Sequence, residues 1–201
     1  MSKKIPVLVI IVPCFNEEAV LPYTVNELTI SLQGLLTKGK IAEGSYLCLV
    51  DDGSTDNTWK LIQEAAQQNP SIKGIKLSSN FGHQNALVAG LFTERAKADC
   101  LITIDADLQD DITVIETMID KYAEGNKIVY GVRENRESDS FWKRNSAQFY
   151  YRLLKLLKIK TVYNHADFRL ADSKVIASLQ RYNEVNLFLR GIFPLMGYRS
   201  D

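Results

Sequence analysis

The chain has 201 residues, of which 46% are hydrophobic and 24% charged, and equal numbers of basic and acidic side chains leave no net charge. This composition is typical of one folded globular domain and excludes a wholly disordered chain, a collagen and a coiled coil. The longest fully apolar run, Val7–Val12, is far shorter than the roughly 20 residues needed to cross a bilayer.

Apolar runs alternate with helix-forming segments up to about residue 132. Runs rich in β-branched residues predict five strands, at Ile5–Val12, Tyr46–Val50, Ile72–Leu77, Cys100–Ile104 and Ile128–Tyr130. Helices are predicted between them, over roughly 17–34, 57–68, 83–96 and 112–124. We expect Pro13 to end the first strand and Asp56 to cap the second helix. This alternation predicts an α/β fold with a mostly parallel sheet flanked by helices.

Acidic clusters follow directly on the carboxyl ends of three predicted strands. These clusters are Asn16-Glu17, Asp51-Asp52 and Asp105-Ala106-Asp107. In a parallel sheet the ligand crevice lies beyond those strand ends, so we expect the clusters to converge on one edge. Carboxylates packed together repel one another unless a cation neutralises them. The sequence therefore predicts a divalent metal at this edge, itself bound to phosphates.

The segment from Asp105 to Gln109 gives the sharpest metal-binding signal. Alternate residues of an extended segment point the same way, so the carboxylates of Asp105 and Asp107 can share one metal. Gln109 would add a neutral oxygen ligand, and an all-oxygen set selects Mg²⁺ or Mn²⁺ over zinc. An isolated Asp-x-Asp is more often a loop or capping feature, but its position after a buried strand favours the metal.

Other common motifs are absent from the sequence. It has no glycine-rich dinucleotide motif after the first strand, no P-loop and no serine-nucleophile elbow. Two histidines, His83 and His165, are too few to favour a Ser-His-Asp hydrolase. Three widely spaced cysteines without a CxxC pair disfavour zinc and disulfide frameworks. Basic residues without an interleaved aromatic platform disfavour nucleic-acid binding.

Charge divides the chain into two unlike parts. Residues 1–132 hold 11 basic and 17 acidic side chains, whereas residues 133–201 hold 13 basic and 7 acidic ones. The acidic part suits a cation and the basic part suits phosphates or an anionic membrane, with chance clustering of solvated charges as the alternative. Phe141–Lys160 has the pattern of a basic amphipathic helix, which either lies on a membrane or packs on the domain with solvated lysines.

The acidic clusters belong to a longer series of motifs that recur in order along nearly the whole chain. These are V-P-C-F-N-E-E (12–18), D-D-G-S-T-D (51–56), N-F-G-H-Q (80–84), D-A-D-L-Q-D (105–110), G-V-R (131–133), D-F-R-L (167–170) and L-R-G (189–191). On these motifs the chain resembles the family 2 glycosyltransferases of GT-A fold, the nucleotide-diphospho-sugar transferase type. Within them it is most similar to the polyprenyl-phosphate glycosyltransferases, namely dolichol-phosphate mannose synthases and bactoprenol glucosyltransferases.

The resemblance implies a donor-binding role for several matching positions. These are Pro13, Phe15, Glu17, Val50, Asp52, Asp105, Ala106 and Arg190. Phe15 would offer a face to the base or ribose, and Glu17 would accept hydrogen bonds from ribose hydroxyls. Asp52 would accept a hydrogen bond from the base, with Val50 against it. Arg190 would clamp phosphate oxygens as a forked donor.

The resemblance also implies metal-binding and catalytic residues. The metal ligands would be Asp105, Asp107 and Gln109, and the residues implied in catalysis are Asp107, Asp167, Arg133 and Arg144. The metal would neutralise the leaving nucleoside diphosphate as a Lewis acid. Arg133 would clamp phosphate, and Arg144, with Ser146, would bind the acceptor phosphate. Asp167 has two open roles, since it either orients a sugar hydroxyl or the attacking group, or forms a salt bridge to Arg169 or another arginine.

The implied reaction is an inverting transfer of a hexose from a nucleotide sugar, with UDP-glucose favoured, to a polyprenyl phosphate. An ionised lipid phosphate attacks the anomeric carbon directly and needs no strong base, which fits the lack of a suitable histidine; His83 is expected near the nucleotide rather than as a catalyst. The first alternative acceptor is a polysaccharide or another sugar, for which Asp167 is the candidate base. A non-catalytic module that binds nucleotide sugars is the second alternative.

We expect one catalytic domain, with residues 1–132 as its nucleotide-sugar-binding half and residues 133–201 as its acceptor-binding, membrane-proximal part. No secretory leader is evident, so the expected location is cytoplasmic, peripheral to or anchored at the inner face of the cell membrane. Bactoprenol-type relatives usually carry two spanning helices after this domain. Without such an anchor, Phe141–Lys160 and Phe188–Met196 would touch lipid, and a homo-oligomer is an open expectation.

Overall fold

The computed structural model describes residues 4–132, 165–182 and 188–201, and within them six strands form one sheet. The strands are β1 (Leu8–Cys14), β2 (Tyr46–Asp51), β3 (Ile72–Lys76), β4 (Cys100–Thr103), β5 (Ile128–Val132) and β6 (His165–Asp172). Their order across the sheet is β3-β2-β1-β4-β6-β5. Strands β1 to β4 are parallel, whereas β6 runs antiparallel to β4 and β5. The predicted mostly parallel α/β sheet is confirmed.

Helices cover both faces of this sheet. They are α1 (Leu21–Thr37), α2 (Thr58–Gln68), α3 (His83–Glu94), α4 (Ile115–Ala123, preceded by a 3-10 turn at Ile112–Val114), α5 (Ser173–Leu179) and α6 (Leu189–Leu195). One core lies between the sheet and α1, α2 and α4, and a second lies against α3, α5 and α6. In β1, Ile10 belongs to the first core and Ile11 to the second, as the two-residue repeat of a strand requires. Burial on both faces explains the continuous apolar run of this strand.

Strand β1 extends through Pro13, contrary to the prediction that this proline ends it. The Ile11 carbonyl accepts from Ile104 on the β4 side, and the Cys14 carbonyl accepts from Asp52 on the β2 side. Pro13 therefore faces the β4 side, where the ladder has already ended at the pair of Ile11 with Thr103. Its missing N–H breaks no ladder hydrogen bond there.

Two predicted helix starts are also corrected. Helix α1 begins at Leu21 rather than near residue 17, because a turn closed by the Glu17 carbonyl and the Val20 amide precedes it. The N-cap of α2 is Asn57 rather than Asp56. The Asp56 carboxylate still accepts from the Thr58 amide, at 2.9 Å, so it satisfies a free N–H at the start of the helix from the position just before the N-cap.

Strand β6 is an inner strand of the sheet that the sequence pattern does not predict. Its acidic and basic residues interrupt the apolar pattern of a strand. The chain end adds a further parallel bridge to β5, where Ser200 pairs with Ile128. Among the described residues, no helix has the length and apolarity that a membrane span requires. The predicted helix Phe141–Lys160 lies outside the described residues.

Candidate active site

The loops that follow β1 and β2 are joined by hydrogen bonds between side chains and backbone. Asn16 adopts a left-handed conformation with φ of 56°, and its side-chain oxygen accepts from the Thr55 amide at 2.8 Å. The Asn16 amide donates to the Ser54 hydroxyl at 3.0 Å, and the Glu17 amide donates to the Thr58 hydroxyl at 2.8 Å. These bonds set the position of Glu17 relative to the second loop.

A third loop, between β3 and α3, is held by Asp52. The two carboxylate oxygens of this buried residue accept from the amides of Phe81, at 2.8 Å, and Gly82, at 2.9 Å. Gly53 lies against the same loop with φ of +73°, and a Cβ atom there would lie 2.5 Å from the carbonyl carbon of Ser79. Asp52 therefore shapes the loop, and the acceptor role implied for it toward a base must use its remaining lone pairs.

These loops enclose a cavity of about 160 Å³ at the carboxyl edge of the sheet. It is lined by Pro13, Cys14, Phe15, Glu17, Asp52, Asn80, Gly82, His83 and Ala86. Four residues with an implied donor role therefore meet there, and the phenyl ring of Phe15 is exposed. Val50 is not among the lining residues, because it is fully buried and faces Gly90 of α3. Ala106 is buried beneath its loop.

Three other carboxylates lie close enough to Glu17 at this edge to affect it. Partial burial and the charges of Asp107, Asp56 and Asp105 raise the pKa of Glu17. A carboxyl group with a raised pKa among other acids is the electrostatic environment of a cation site. The acidic edge predicted from the strand ends is therefore present in the structure.

The loop that carries the predicted metal ligands is held by neighbouring side chains. Asp105 lies 2.8 Å from Nε2 of His83, the first residue of α3, and the hydrogen bond between them raises the pKa of His83. The side-chain amide of Gln109, through Nε2, donates to the Asp107 carboxylate at 2.8 Å, so these two predicted ligands are adjacent. Leu108, between them, adopts a left-handed φ of 47°.

The donor set of this loop fits a hard divalent cation that is also bound by phosphate. Asp105, Asp107 and Gln109 offer only oxygen ligands, as Mg²⁺ and Mn²⁺ prefer. In the part of the chain that the structure describes, no three His, Cys, Asp or Glu side chains are grouped tightly enough to hold a metal by themselves.

A further carboxylate, that of Asp167 on β6, has very different surroundings. It is 4% exposed, and one of its oxygens accepts from Nη2 of Arg169 and from Nε of Arg190, at 3.2 Å for the latter. The other oxygen accepts from Nη2 of Arg190 at 2.8 Å and from the Gln84 amide at 3.2 Å. This is the salt bridge to arginine that the sequence left as one of two roles for Asp167.

The arginines determine the protonation state of Asp167. Burial by itself would raise the pKa of this carboxyl, but the hydrogen bond from Arg190 and the charges of Arg169 and Arg190 hold it below its usual range. Arg169 is 2% exposed and stacks over Phe193, with 5.0 Å from its Cζ to the ring centroid. Asp167 is thus an ionised carboxylate held inside the protein by neighbouring cations.

Sequence reasoning missed some residues of the site and named others that cannot be placed. Gln84 belongs to the quoted N-F-G-H-Q motif, but nothing local indicated that its amide would reach Asp167, 83 positions along the chain. Arg133 and Arg144, implied as phosphate ligands, lie outside the described residues, as does Ser146. Their roles stay predictions.

Comparison with known proteins gives a consistent family assignment. Residues 9–179 match the family model described as glycosyl transferase family 2. An uncharacterized glycosyltransferase of Bacillus subtilis is 51% identical over the whole chain, which covers 59% of that protein. A bactoprenol glucosyl transferase of Shigella phage SfV is 36% identical over 96% of the chain and 60% of its own length. The chain thus spans about three fifths of the length of these relatives.

Solved structures share the fold at low sequence identity. A mannosyltransferase from Pyrobaculum calidifontis, in complex with GDP-Man and Mn²⁺, matches with a TM-score of 0.60 at 17% identity, over 98% of this chain and 54% of that one. Glucosyl-3-phosphoglycerate synthase from Mycobacterium tuberculosis, in complex with Mn²⁺, UDP and glucosyl-3-phosphoglycerate, matches with a TM-score of 0.54 at 17% identity. This match covers 85% of this chain and 58% of that one. Both are glycosyl-transferring enzymes, and their similarity supports the fold.

Proposed function

Because the chain belongs to the family 2 glycosyltransferases, we propose that it transfers a hexose from a nucleotide sugar to a polyprenyl phosphate, with inversion and with a divalent metal. The proposed donor is UDP-glucose, since relatives at 34 and 36% identity are named as a bactoprenol glucosyl transferase homolog and a bactoprenol glucosyl transferase. The Mn²⁺ named in two structural neighbours supports a metal.

The choice of acceptor rests on the pairing of the Asp167 carboxylate with arginines. A sugar hydroxyl must lose a proton when it attacks, and a base with a pKa near the working pH does this best. Both oxygens of Asp167 already accept hydrogen bonds, and arginines hold its pKa below the usual range, so it is a poor base. A lipid phosphate already carries an ionised oxygen at neutral pH, and it gains from nearby cations instead.

On the donor side, this chain's residues bind and orient the nucleotide sugar. Phe15 and Glu17 line the cavity proposed for base and ribose, and Asp52 keeps its wall in place through the amides of Phe81 and Gly82. Asp105, Asp107 and Gln109 would hold Mg²⁺ or Mn²⁺. When bound, the metal supplies positive charge to the leaving diphosphate.

Arg190, implied above to clamp donor phosphate, is a cation near the acidic edge. Arg190 is 45% exposed and is oriented by two hydrogen bonds to Asp167. We propose that its guanidinium pairs with phosphate, because a forked donor of fixed orientation suits phosphate oxygens. Arg133 remains proposed as a second phosphate clamp, and Arg144 remains proposed for the acceptor phosphate.

Contact with a membrane surface is part of the proposal. Phe188 and Leu195, at the two ends of α6, are 54% and 58% exposed. Phe188 is the N-cap residue that precedes α6, and Leu195 is the last residue of this helix. These two exposed apolar residues in the basic part of the chain support a peripheral position at the cytoplasmic membrane face.

The test is a transfer assay with UDP-glucose and Mn²⁺, in which a polyprenyl phosphate in mixed micelles is compared with soluble sugar acceptors. We expect a glycosyl phosphate product of inverted configuration, detected by mass spectrometry and proton NMR. Transfer to a sugar hydroxyl that Asp167→Asn abolishes would instead establish Asp167 as a base. Nucleotide binding without turnover on any acceptor would indicate a binding module.

A further inference from the structure

We propose that Thr24 is a positioning residue for the metal-binding loop, because its hydroxyl holds the backbone of Ala106 between the two aspartates. Thr24 lies in the first turn of α1 and is 1% exposed. Its hydroxyl lies 2.5 Å from the carbonyl oxygen of Ala106, which is 82 residues away in the chain. This inference rests on the proposed metal-dependent function.

The hydroxyl has one proton and two acceptors within reach. The carbonyl of Val20, one helical turn earlier, lies 3.1 Å from it, which is the usual local bond of a helical threonine. The Ala106 carbonyl is nearer, and Ala106 is only 3% exposed. A buried carbonyl without a donor is costly, so the proton is better used on Ala106.

The position of Ala106 gives this hydrogen bond its consequence. Ala106 separates Asp105 from Asp107, so the orientation of its peptide group sets the spacing of both carboxylates. The rest of the loop depends on the same segment, since the Leu108 amide donates to the Asp105 carbonyl and the Gln109 amide to the Asp107 carboxylate, each at 3.3 Å. Anchoring Ala106 from below therefore aligns the ligand set before a metal arrives.

A general contribution to stability would not explain this placement. Thr103 on β4 offers a close comparison, because it is 2% exposed and its hydroxyl also donates to a backbone carbonyl, that of Asp167. Both threonines therefore make a buried hydroxyl-to-carbonyl bond at the same edge of the sheet. Only the bond from Thr24 ends inside the metal-binding loop, so the two should differ in their effect on metal binding.

The test uses the full chain with Thr24→Val, which keeps the shape and removes the hydroxyl. Thr24→Ser restores the donor, and Thr103→Val is the matched control. The first measurement is hydrogen exchange of the metal-free proteins, and we expect faster exchange at the Leu108 and Gln109 amides in Thr24→Val alone. The second is calorimetric titration of Mn²⁺ in the presence of UDP. We expect at least about tenfold weaker binding for Thr24→Val and less than about twofold change for the other two variants.

The outcomes separate this inference from the proposed function. Unchanged exchange at Leu108 and unchanged Mn²⁺ affinity in a folded Thr24→Val protein would overturn the positioning role while leaving the proposed function intact. Equal losses in Thr24→Val and Thr103→Val would also overturn it, because a general packing effect would then suffice. A wild-type protein that binds no Mn²⁺ with UDP or with GDP would overturn the proposed metal-dependent function and this inference with it.

Discussion

Two groups of charged side chains at the carboxyl edge of the same sheet have opposite electrostatics: the acids around Glu17, and Asp167 with its two arginines. On the side proposed to bind the donor, partial burial and then the charges of neighbouring acids raise the pKa of Glu17. On β6, two arginines hold the pKa of Asp167 low. The acids around Glu17 suit a cation, whereas Asp167 already has its cations in Arg169 and Arg190.

The largest effect is expected when the donor side loses a metal ligand. Asp107→Ala should lower transfer by about 1,000-fold, because several kcal/mol of charge stabilisation are lost and each 1.36 kcal/mol is a factor of ten. Glu64→Ala, which removes an equal charge from an exposed pair on α2, should leave the rate unchanged. Steady-state kinetics with UDP-glucose measures both. A rate for Asp107→Ala close to that of Glu64→Ala would remove this loop from the reaction.

The second effect is on stability and concerns the arginine-paired group. Asp167→Asn should lower the free energy of unfolding by about 3 kcal/mol, because the buried Arg169 loses its carboxylate partner. Asp56→Asn, at the exposed start of α2, should cost about 1 kcal/mol or less. Urea denaturation of both variants makes the comparison. Equal costs would mean that the charge on Asp167 contributes little to stability.

The third prediction compares two glycines with positive φ, of which only Gly53 is also in close contact with another loop. Gly53→Ala should destabilise the protein and weaken nucleotide binding, because its Cβ would lie 2.5 Å from Ser79 as well as at a positive φ. Gly39→Ala has a similar φ of +64° but open space around the Cβ, so it should cost only about 1–2 kcal/mol. Thermal denaturation and UDP titration compare the two. If both variants bind UDP like the wild type, the contact between the second and third loops has no role in the donor site.

The smallest effects, and the most diagnostic, are the opposite pH dependences of the two groups. The folded-state pKa of Glu17 is raised, so its charge costs stability above the unfolded pKa; Glu17→Gln should stabilise the protein at pH 7 but not in acid. The folded-state pKa of Asp167 is lowered, so its contribution is present above the unfolded value of about 4 and is lost as pH falls through the folded pKa. Urea denaturation midpoints of Glu17→Gln and Asp167→Asn from pH 3 to 8 measure how each substitution changes stability with pH. A stability change of the same sign for both variants at pH 7 would contradict the comparison.

Much of the donor half could be predicted from local sequence alone. The apolar runs located β1 to β4 within a few residues, and the acids that follow β1 and β4 do meet at one edge. The resemblance to family 2 glycosyltransferases, carried by motifs spaced along the chain, is confirmed by the family match over residues 9–179. These features were accessible because strand periodicity and strand-end position are properties of consecutive residues.

The tertiary structure alone decided the other half of the site. Strand β6 lies between β4 and β5, and this order buries Arg169 and brings Asp167 to Gln84 and Arg190, which are distant in sequence. The bond from Thr24 to Ala106 arises in the same way, from packing of α1 against the loop after β4. Local periodicity reports which faces are buried, but the partner of a buried charge or hydroxyl depends on which elements become neighbours in the fold. The sequence by itself therefore determined the sheet and its acidic edge, and long-range packing decided which carboxylate would be paired with buried arginine.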